Sequence, residues 1–173
     1  HQAKQFIDFG NWTLLGKTLE RTKASIFDAP VISTNKKYLK QVKQHLKKLK
    51  ISKYKIVLEP AKRNTAPATL STALIKDIPN NQPLMFFTAD HLIEKMSIFN
   101  KAINKNKKNL SDQNIFIFGI KPTSPSSEYG YFLTKNIKGN INKVTRFIEK
   151  PKEAKAKQII KNKGYWNSGM FYL

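Results

Sequence analysis

The chain contains no cysteine among its 173 residues, which excludes disulfides and thiolate metal centres and fits, weakly, a cytoplasmic protein. No apolar run approaches the ~20 residues of a membrane-spanning helix, so no membrane partner is expected. The start, His1-Gln2-Ala3-Lys4, lacks methionine and has no apolar stretch behind a basic opening, so it does not read as a secretory signal and raises the question of processing or truncation. Acidic residues are scarce: 11 Asp and Glu stand against 32 Lys and Arg, a formal charge of +21. Arginine is scarcer still, with only Arg21, Arg63 and Arg146. A basic balance of this size raises the question of a nucleic-acid partner. Readers of nucleic acid lean on arginine for bidentate contacts, and the lysines here are spread along the whole chain. Nucleic acid is therefore not the expected partner, whereas anionic phosphate substrates would gain from the field.

What is present is ordinary for a globular protein: 40% hydrophobic and 25% charged residues, with a length that allows one domain with a core. Strand and helix patterns alternate. Thr13 suits an N-cap for a helix to about Thr22, with Leu14, Leu15 and Leu19 on one side. Residues 30–33 read as a short strand. Asn35 suits the cap of a helix in which Leu39, Val42, Leu46 and Leu49 recur at helical spacing. A strand is expected over 54–58 and a helix over 66–76, with Asn64 or Thr65 as cap and Pro67 in its first turn. The apolar run 84–87 reads as a buried parallel strand. A helix over 93–104 and a strand over 115–120 follow. After a Pro- and Ser-rich loop over 121–128, strands are expected at 129–134 and 143–149. A helix is expected at 152–162 with Gly164 beyond its end, then a strand-like run over 166–173. This order implies an α/β fold: a mostly parallel, mixed sheet with helices on both faces, where ligands bind at the carboxyl ends of the strands.

Five polar clusters fall at such ends. In 59–68, EPAKRNTAPA follows a strand and opens a helix, whose unpaired N–H groups suit an anion or the polar edge of a base; a capped helix start is the plainer alternative. Asp90 follows the 84–87 strand, a good place for a carboxylate that holds Mg²⁺ together with phosphate oxygens and waters; the plainer alternative is a helix N-cap. No second carboxylate or histidine stands near it at metal-ligand spacing. Gly130, between Tyr129 and Tyr131, suits a strand start where a ligand meets the backbone, or a turn. Glu149 and Lys150 suit a sugar hydroxyl and a phosphate, or form an exposed charge pair worth little. Asn167 and Gly169 sit in YWNSGMF at 165–171 and suit a sugar hydroxyl and a close approach, or a polar turn.

Taken in order, KQF (4–6), EPAKRNTAPA (59–68), FTADH (87–91), FGIKPTSPSSEYGY (118–131), FIEKP (147–151) and YWNSGMF (165–171) resemble the corresponding blocks of bacterial mannose-1-phosphate guanylyltransferases. EPAKRNTAPA and YWNSGMF carry most of the specificity. The resemblance implies a Rossmann-like, three-layer nucleotidyltransferase domain of the GT-A-like kind, truncated here, with residues 1–173 as part of the catalytic domain. It implies transfer of GMP from GTP to mannose 1-phosphate, with Mg²⁺ as cofactor, in the cytoplasm, and leaves room for a homo-oligomer. Carried over by position, Lys4 would face phosphate, and Arg63, Asn64, Thr65 and Ala66 would line the guanosine side. Asp90 would hold Mg²⁺. Gly130, Glu149, Lys150 and Asn167 would form the sugar-phosphate side, with Lys4, Asp90 and Lys150 the catalytic set.

The sequence departs from the family where Lys62 replaces a usual glycine, Ala3 a usual proline, and Phe87-Thr88 a usual leucine-proline. The family's glycine-rich phosphate loop, which precedes KQF, and its continuation past the asparagine-serine-glycine block have no counterpart in these residues. The isolated chain is therefore expected to be inactive, the activity belonging to a longer parent. The alternatives are a sibling enzyme with another base or sugar, a non-catalytic nucleotide-binding relative, and a basic nucleic-acid-binding domain.

Overall fold

The computed structural model describes residues 3–60, 65–79, 81–111, 113–138 and 141–173, the side chains of residues 137 and 138 excepted. The chain forms two compact units, His1–Asp112 and Gln113–Leu173.

The first unit begins with a 3-10 turn, Lys4–Phe6, followed by α1 (Leu14–Arg21), β1 (Val31–Asn35), a second 3-10 turn (Lys36–Tyr38) and α2 (Leu39–Lys48). Then come β2 (Lys55–Glu59), α3 (Thr65–Ala73), β3 (Met85–Phe86) and α4 (Met96–Asn106). Thr13 caps α1 as expected: its backbone is extended and its hydroxyl accepts the Gly16 N–H at 3.0 Å. The same hydroxyl is 2.8 Å from His45 Nε2, while His45 Nδ1 lies 2.8 Å from the Gln41 carbonyl. That carbonyl can only accept, so Nδ1 carries the hydrogen and, in the neutral ring, Nε2 accepts from Thr13. Leu15 and Leu19 of α1 meet Val42 and Leu46 of α2 around buried Phe6, with Ile32 and Ile56 of the strands packed against them. The i, i+4 spacing of each pair sets one apolar stripe per helix. β1 and β2 pair in parallel from Val31↔Lys55 to Asn35↔Glu59.

The second unit comprises β4 (Phe116–Ile120), β5 (Tyr131–Lys138), β6 (Ile141–Ile148), α5 (Glu153–Lys161) and β7 (Tyr165–Tyr172). Antiparallel pairings join β4 to β7, β7 to β5 and β5 to β6. Tyr131, Ala156 and Ile159 form its core, with Leu133, Ile148, Ile160 and Trp166 against them. The Tyr131 hydroxyl donates to the Ser126 carbonyl at 3.0 Å and accepts the Ser126 N–H at 2.9 Å, tying down the Pro/Ser-rich loop.

The α/β class and the mixed sheet follow the expectation. A parallel pairing joins β1 and β2, and every described pairing within the second unit is antiparallel. The Gly139-Asn140 dipeptide between β5 and β6 is a hairpin signal. Some bounds differ from those expected. The strand expected over 84–87 is formed only at Met85–Phe86 and is half-buried, and the ring of Phe87, just beyond it, packs on those of Phe27 and Phe99 at 5.4 and 5.9 Å. The helix expected from 93 starts at Met96, after an irregular stretch. α5 closes with paired bonds, Gly164 N–H to the Ile159 carbonyl and Lys163 N–H to the Ile160 carbonyl, each 2.9 Å. Lys163, at φ 57°, takes the left-handed position in this closure, and Gly164 follows it.

Candidate active site

In the first unit, the candidate groups sit on short, irregular pieces of chain. Burial of Phe6 against the helices fixes the Lys4–Phe6 turn and leaves Lys4 exposed. At the end of β2, Ser33 Oγ donates to a Glu59 carboxylate oxygen at 2.5 Å and Asn35 Nδ2 donates to the Glu59 carbonyl at 3.3 Å. The start of the EPAKRNTAPA block is thus pinned to β1. Arg63 and Asn64 lie outside the described residues. Thr65 and Ala66 open α3 and are exposed, so the free N–H groups of a helix start are presented beside small side chains.

Asp90 is the last residue of a turn that follows β3. It caps no helix: α4 begins at Met96, with Lys95 at the cap position. Its side chain is half exposed, and one carboxylate oxygen is 3.9 Å from His91 Nε2. Among the described residues, no group of three or more His, Cys, Asp and Glu converges. That set suits Mg²⁺ held the way it is held with nucleotides, by one or two carboxylates plus phosphate oxygens and waters, and does not suit an all-protein cage.

Sequence reading missed two residues that frame Asp90. Thr18 Oγ1 donates to the Thr88 carbonyl at 3.3 Å, and Arg21 Nη2 donates to the His91 carbonyl. The available signal was the choice of arginine in a chain that otherwise uses lysine.

In the second unit, the candidate groups stand at strand ends and are brought together by the ladder. The Asn167 N–H donates to the Gly130 carbonyl at 2.8 Å, joining the β7 and β5 ends. Gly130 is buried, and a Cβ there would come within 2.8 Å of Glu149 Oε2 and 2.9 Å of Phe147 Cζ. The Glu149 carboxylate therefore rests on bare backbone. Gly130, Glu149 and Asn167 are neighbours, and Lys150 adjoins Glu149 in sequence. Lys150 takes φ 41° immediately before buried Pro151. A non-glycine residue held left-handed, and before proline, stores about 1–3 kcal/mol of strain. Such strain is enriched at functional sites, and no described ion pair joins Glu149 to Lys150, which disfavours the plain charge-pair reading.

β7 bulges opposite β4 between Asn167 and Phe171, with Gly169 at φ 70°. Asn167 Oδ1 accepts the Gly169 N–H at 3.1 Å, so one lone pair of its carbonyl oxygen is used in this turn, and its amide nitrogen is the group that can donate. Beside it, Trp166 Nε1 is buried with no partner among the described residues, and the Trp166 ring lies 4.9 Å from that of Tyr129.

The sequence pattern of the nucleotidyl transferase family matches residues 1–173. The chain belongs to the nucleotidyl transferase family. Among its relatives, the alginate biosynthesis protein AlgA of Pseudomonas fluorescens is 34% identical over 97% of this chain and 36% of its own length. A mannose-1-phosphate guanylyltransferase of Escherichia coli is 34% identical over 97% of this chain and 38% of its own. This nucleotidyl transferase chain thus spans little more than a third of the length of these relatives. Its backbone is similar to that of a mannose-6-phosphate isomerase from Helicobacter pylori, with a TM-score of 0.86 and 31% identity over 99% of this chain and 66% of the other. A Thermus thermophilus protein described as mannose-1-phosphate geranyltransferase has a TM-score of 0.82 and 27% identity over 98% of this chain and 50% of the other.

Proposed function

We propose that the protein carrying this chain transfers GMP from GTP to α-D-mannose 1-phosphate, giving GDP-mannose and pyrophosphate. The observation that carries the reading is the gathering of Gly130, Glu149 and Asn167 beside the strained Lys150, in a nucleotidyl transferase with relatives named mannose-1-phosphate guanylyltransferase. A sugar phosphate asks for acceptors and donors for hydroxyls together with a cation for its phosphate, and this group supplies each.

In the proposed reaction, a phosphate oxygen of the sugar phosphate attacks the α-phosphorus of GTP in line, and the bond to the β-phosphate oxygen breaks. The Glu149 carboxylate accepts sugar hydroxyls, the Asn167 amide donates to one, and Lys150 faces the sugar's phosphate. Lys4 meets the triphosphate. Arg63, Asn64, Thr65 and Ala66 take the guanosine side, where the opening of α3 offers backbone N–H groups. Asp90 would hold Mg²⁺, which when bound would offset charge on the phosphates and on the leaving pyrophosphate. Catalysis of this kind is positioning and charge neutralisation. GTP and a sugar phosphate as substrates fit a cytoplasmic protein.

The test is pyrophosphate release by the protein carrying this chain, supplied with Mg²⁺, mannose 1-phosphate and, in turn, GTP, UTP and dTTP. Preference for GTP is expected; equal or better turnover of another nucleotide removes the guanylyl assignment. Asp90→Asn is expected to lower Mg²⁺-dependent turnover by about a hundredfold or more, with circular dichroism unchanged. Unaltered turnover takes Asp90 out of the metal site.

A further inference from the structure

α1 carries a buried charge that no role above uses. Arg21 is only 4% exposed, and among the described residues no carboxylate pairs with it. Burial pushes its pKa below the usual arginine value, though a guanidinium stays protonated in proteins. An isolated buried cation is costly unless its donors find acceptors. Nε and Nη2 of Arg21 find them in backbone and hydroxyl oxygens: Nε reaches the Lys17 carbonyl at 3.3 Å, and Nη2 reaches Thr18 Oγ1 at 2.7 Å and the His91 carbonyl, while Nη1 has no partner among the described residues. The guanidinium carbon lies 5.8 Å from the centre of the Phe87 ring. Thr18 Oγ1, accepting from Arg21, passes its own hydrogen to the Thr88 carbonyl.

The two carbonyls so held belong to residues 88 and 91, which bracket Ala89-Asp90. This turn follows a strand of two residues and precedes an irregular stretch before α4, so it has little regular ladder of its own to hold it. Nη2 reaches the hydroxyl and the carbonyl together while Nε takes the Lys17 carbonyl, so the planar guanidinium is fixed by three acceptors where a lysine would bring one compact, freely rotating ammonium.

We propose that Arg21, aligned by Thr18, is a positioning residue for the Asp90 carboxylate: it clamps the 88–91 turn from α1 so that the carboxylate is presented to a divalent cation carried by the nucleotide phosphates. This rests on the reading of Asp90 as a metal ligand. Groups that orient metal ligands typically change metal affinity by about 10–100-fold when removed.

The experiment measures Mn²⁺ binding by electron paramagnetic resonance of the free ion, on the protein carrying this chain with GTP present, for Arg21→Met, Arg21→Lys, Thr18→Val and Asp90→Asn. GTP binding without metal is measured alongside. Arg21→Met is expected to weaken Mn²⁺ binding about tenfold and to leave metal-free GTP binding unchanged. Arg21→Lys should restore part of the loss, and Thr18→Val should lose less than Arg21→Met. Arg21→Met in the Asp90→Asn background should add nothing. Full Mn²⁺ affinity in Arg21→Met, while Asp90→Asn loses it, overturns the clamp alone. Full affinity in Asp90→Asn overturns the metal reading beneath it. An equal loss of metal-free GTP binding in Arg21→Met makes the residue merely structural and also overturns the proposal. Should Arg21→Met fail to fold, Thr18→Val decides, and unchanged Mn²⁺ affinity there overturns the clamp.

Discussion

The two units hold their candidate groups by different means. In the first, Asp90 stands on a turn with little sheet around it, and side chains from a helix some 70 residues earlier in sequence reach over to grip its backbone, as Thr18 does at Thr88 and Arg21 at His91. In the second, Gly130, Glu149 and Asn167 are set by the antiparallel ladder itself, and the Asn167 N–H to Gly130 carbonyl bond is part of that frame. A ladder places strand ends without help, and its precision shows as close approach and local strain. A turn needs outside bonds, and the residues that give and receive them carry buried polar atoms without partners among the described residues, a feature the ladder side shares at Trp166 Nε1. Arg21 Nη1 and Thr88 Oγ1 are both buried with no partner among the described residues.

The sharpest way to break the ladder-built side is Gly130→Ala. The added methyl would meet Glu149 Oε2 at 2.8 Å and the Phe147 ring at 2.9 Å. Both neighbours are ends of exposed side chains, so they can swing aside and the fold should survive. What is lost is the position of the carboxylate. Losing the charge-assisted bonds proposed between it and the sugar should raise the KM for the sugar phosphate about 10–100-fold while the KM for the nucleotide holds. Steady-state kinetics with each substrate varied in turn checks this, and a parallel rise in both constants would mean that the defect is not local.

Lys150→Gly sharpens the same side by pulling stability and activity apart. Glycine accepts φ 41° without penalty, so melting should move up by the equivalent of about 1 kcal/mol. The ammonium proposed to face the phosphate is gone, and turnover should fall at least tenfold. Thermal melts and pyrophosphate release on the same preparation read both. A loss of stability together with a loss of activity would show that Lys150 supports the fold rather than the chemistry.

How far the sequence foretells this depends on where the determining contact lies. α1 and α2 are legible because Leu15, Leu19, Val42 and Leu46 repeat at helical spacing and Thr13 is a cap three residues before Gly16, all local facts. The antiparallel partner of β5 is less so, since six successive residues of β6, Asn142 to Phe147, are exposed and show no alternation; only Gly139-Asn140 hints at a hairpin. The candidate residues of the second unit could be picked out as strand ends, but their mutual closeness depends on register. Lys150 reads as an ordinary extended residue before proline, the opposite of its left-handed backbone. Arg21 reads as one more cation on a basic chain, because its meaning is created by carbonyls about 70 residues away. The local code thus names elements, while long-range bonds name the roles of single residues.

On the turn-built side, Thr88→Val tests whether the clamp carries a cost. Thr88 stands where relatives in the resemblance have proline, and its hydroxyl is buried without a partner among the described residues. Valine keeps the shape and removes the unpaired group, which should stabilise the protein by about 1 kcal/mol. The carbonyl that Thr18 grips is backbone and is retained, so Mn²⁺ affinity should not change. For a chain of this size that is a rise of about 2–4 °C in melting temperature. Destabilisation would mean that the hydroxyl is paired in solution and that the turn is better satisfied than the geometry indicates.

The smallest expected effect separates strain that serves chemistry from strain that serves only a helix end. Lys163 is left-handed like Lys150, at φ 57° against 41°, but it closes α5 through paired backbone bonds, and no candidate ligand group adjoins it. Lys163→Gly keeps both bonds and removes the steric cost, so a gain of about 0.5–1 kcal/mol is expected, with kinetic constants for either substrate unchanged. The contrast with Lys150→Gly is the informative part: the same exchange at two left-handed lysines should stabilise both times and cost activity once. If Lys163→Gly also lowers turnover, backbone strain ceases to mark Lys150 as functional, and the case for it rests on its place beside Glu149 alone.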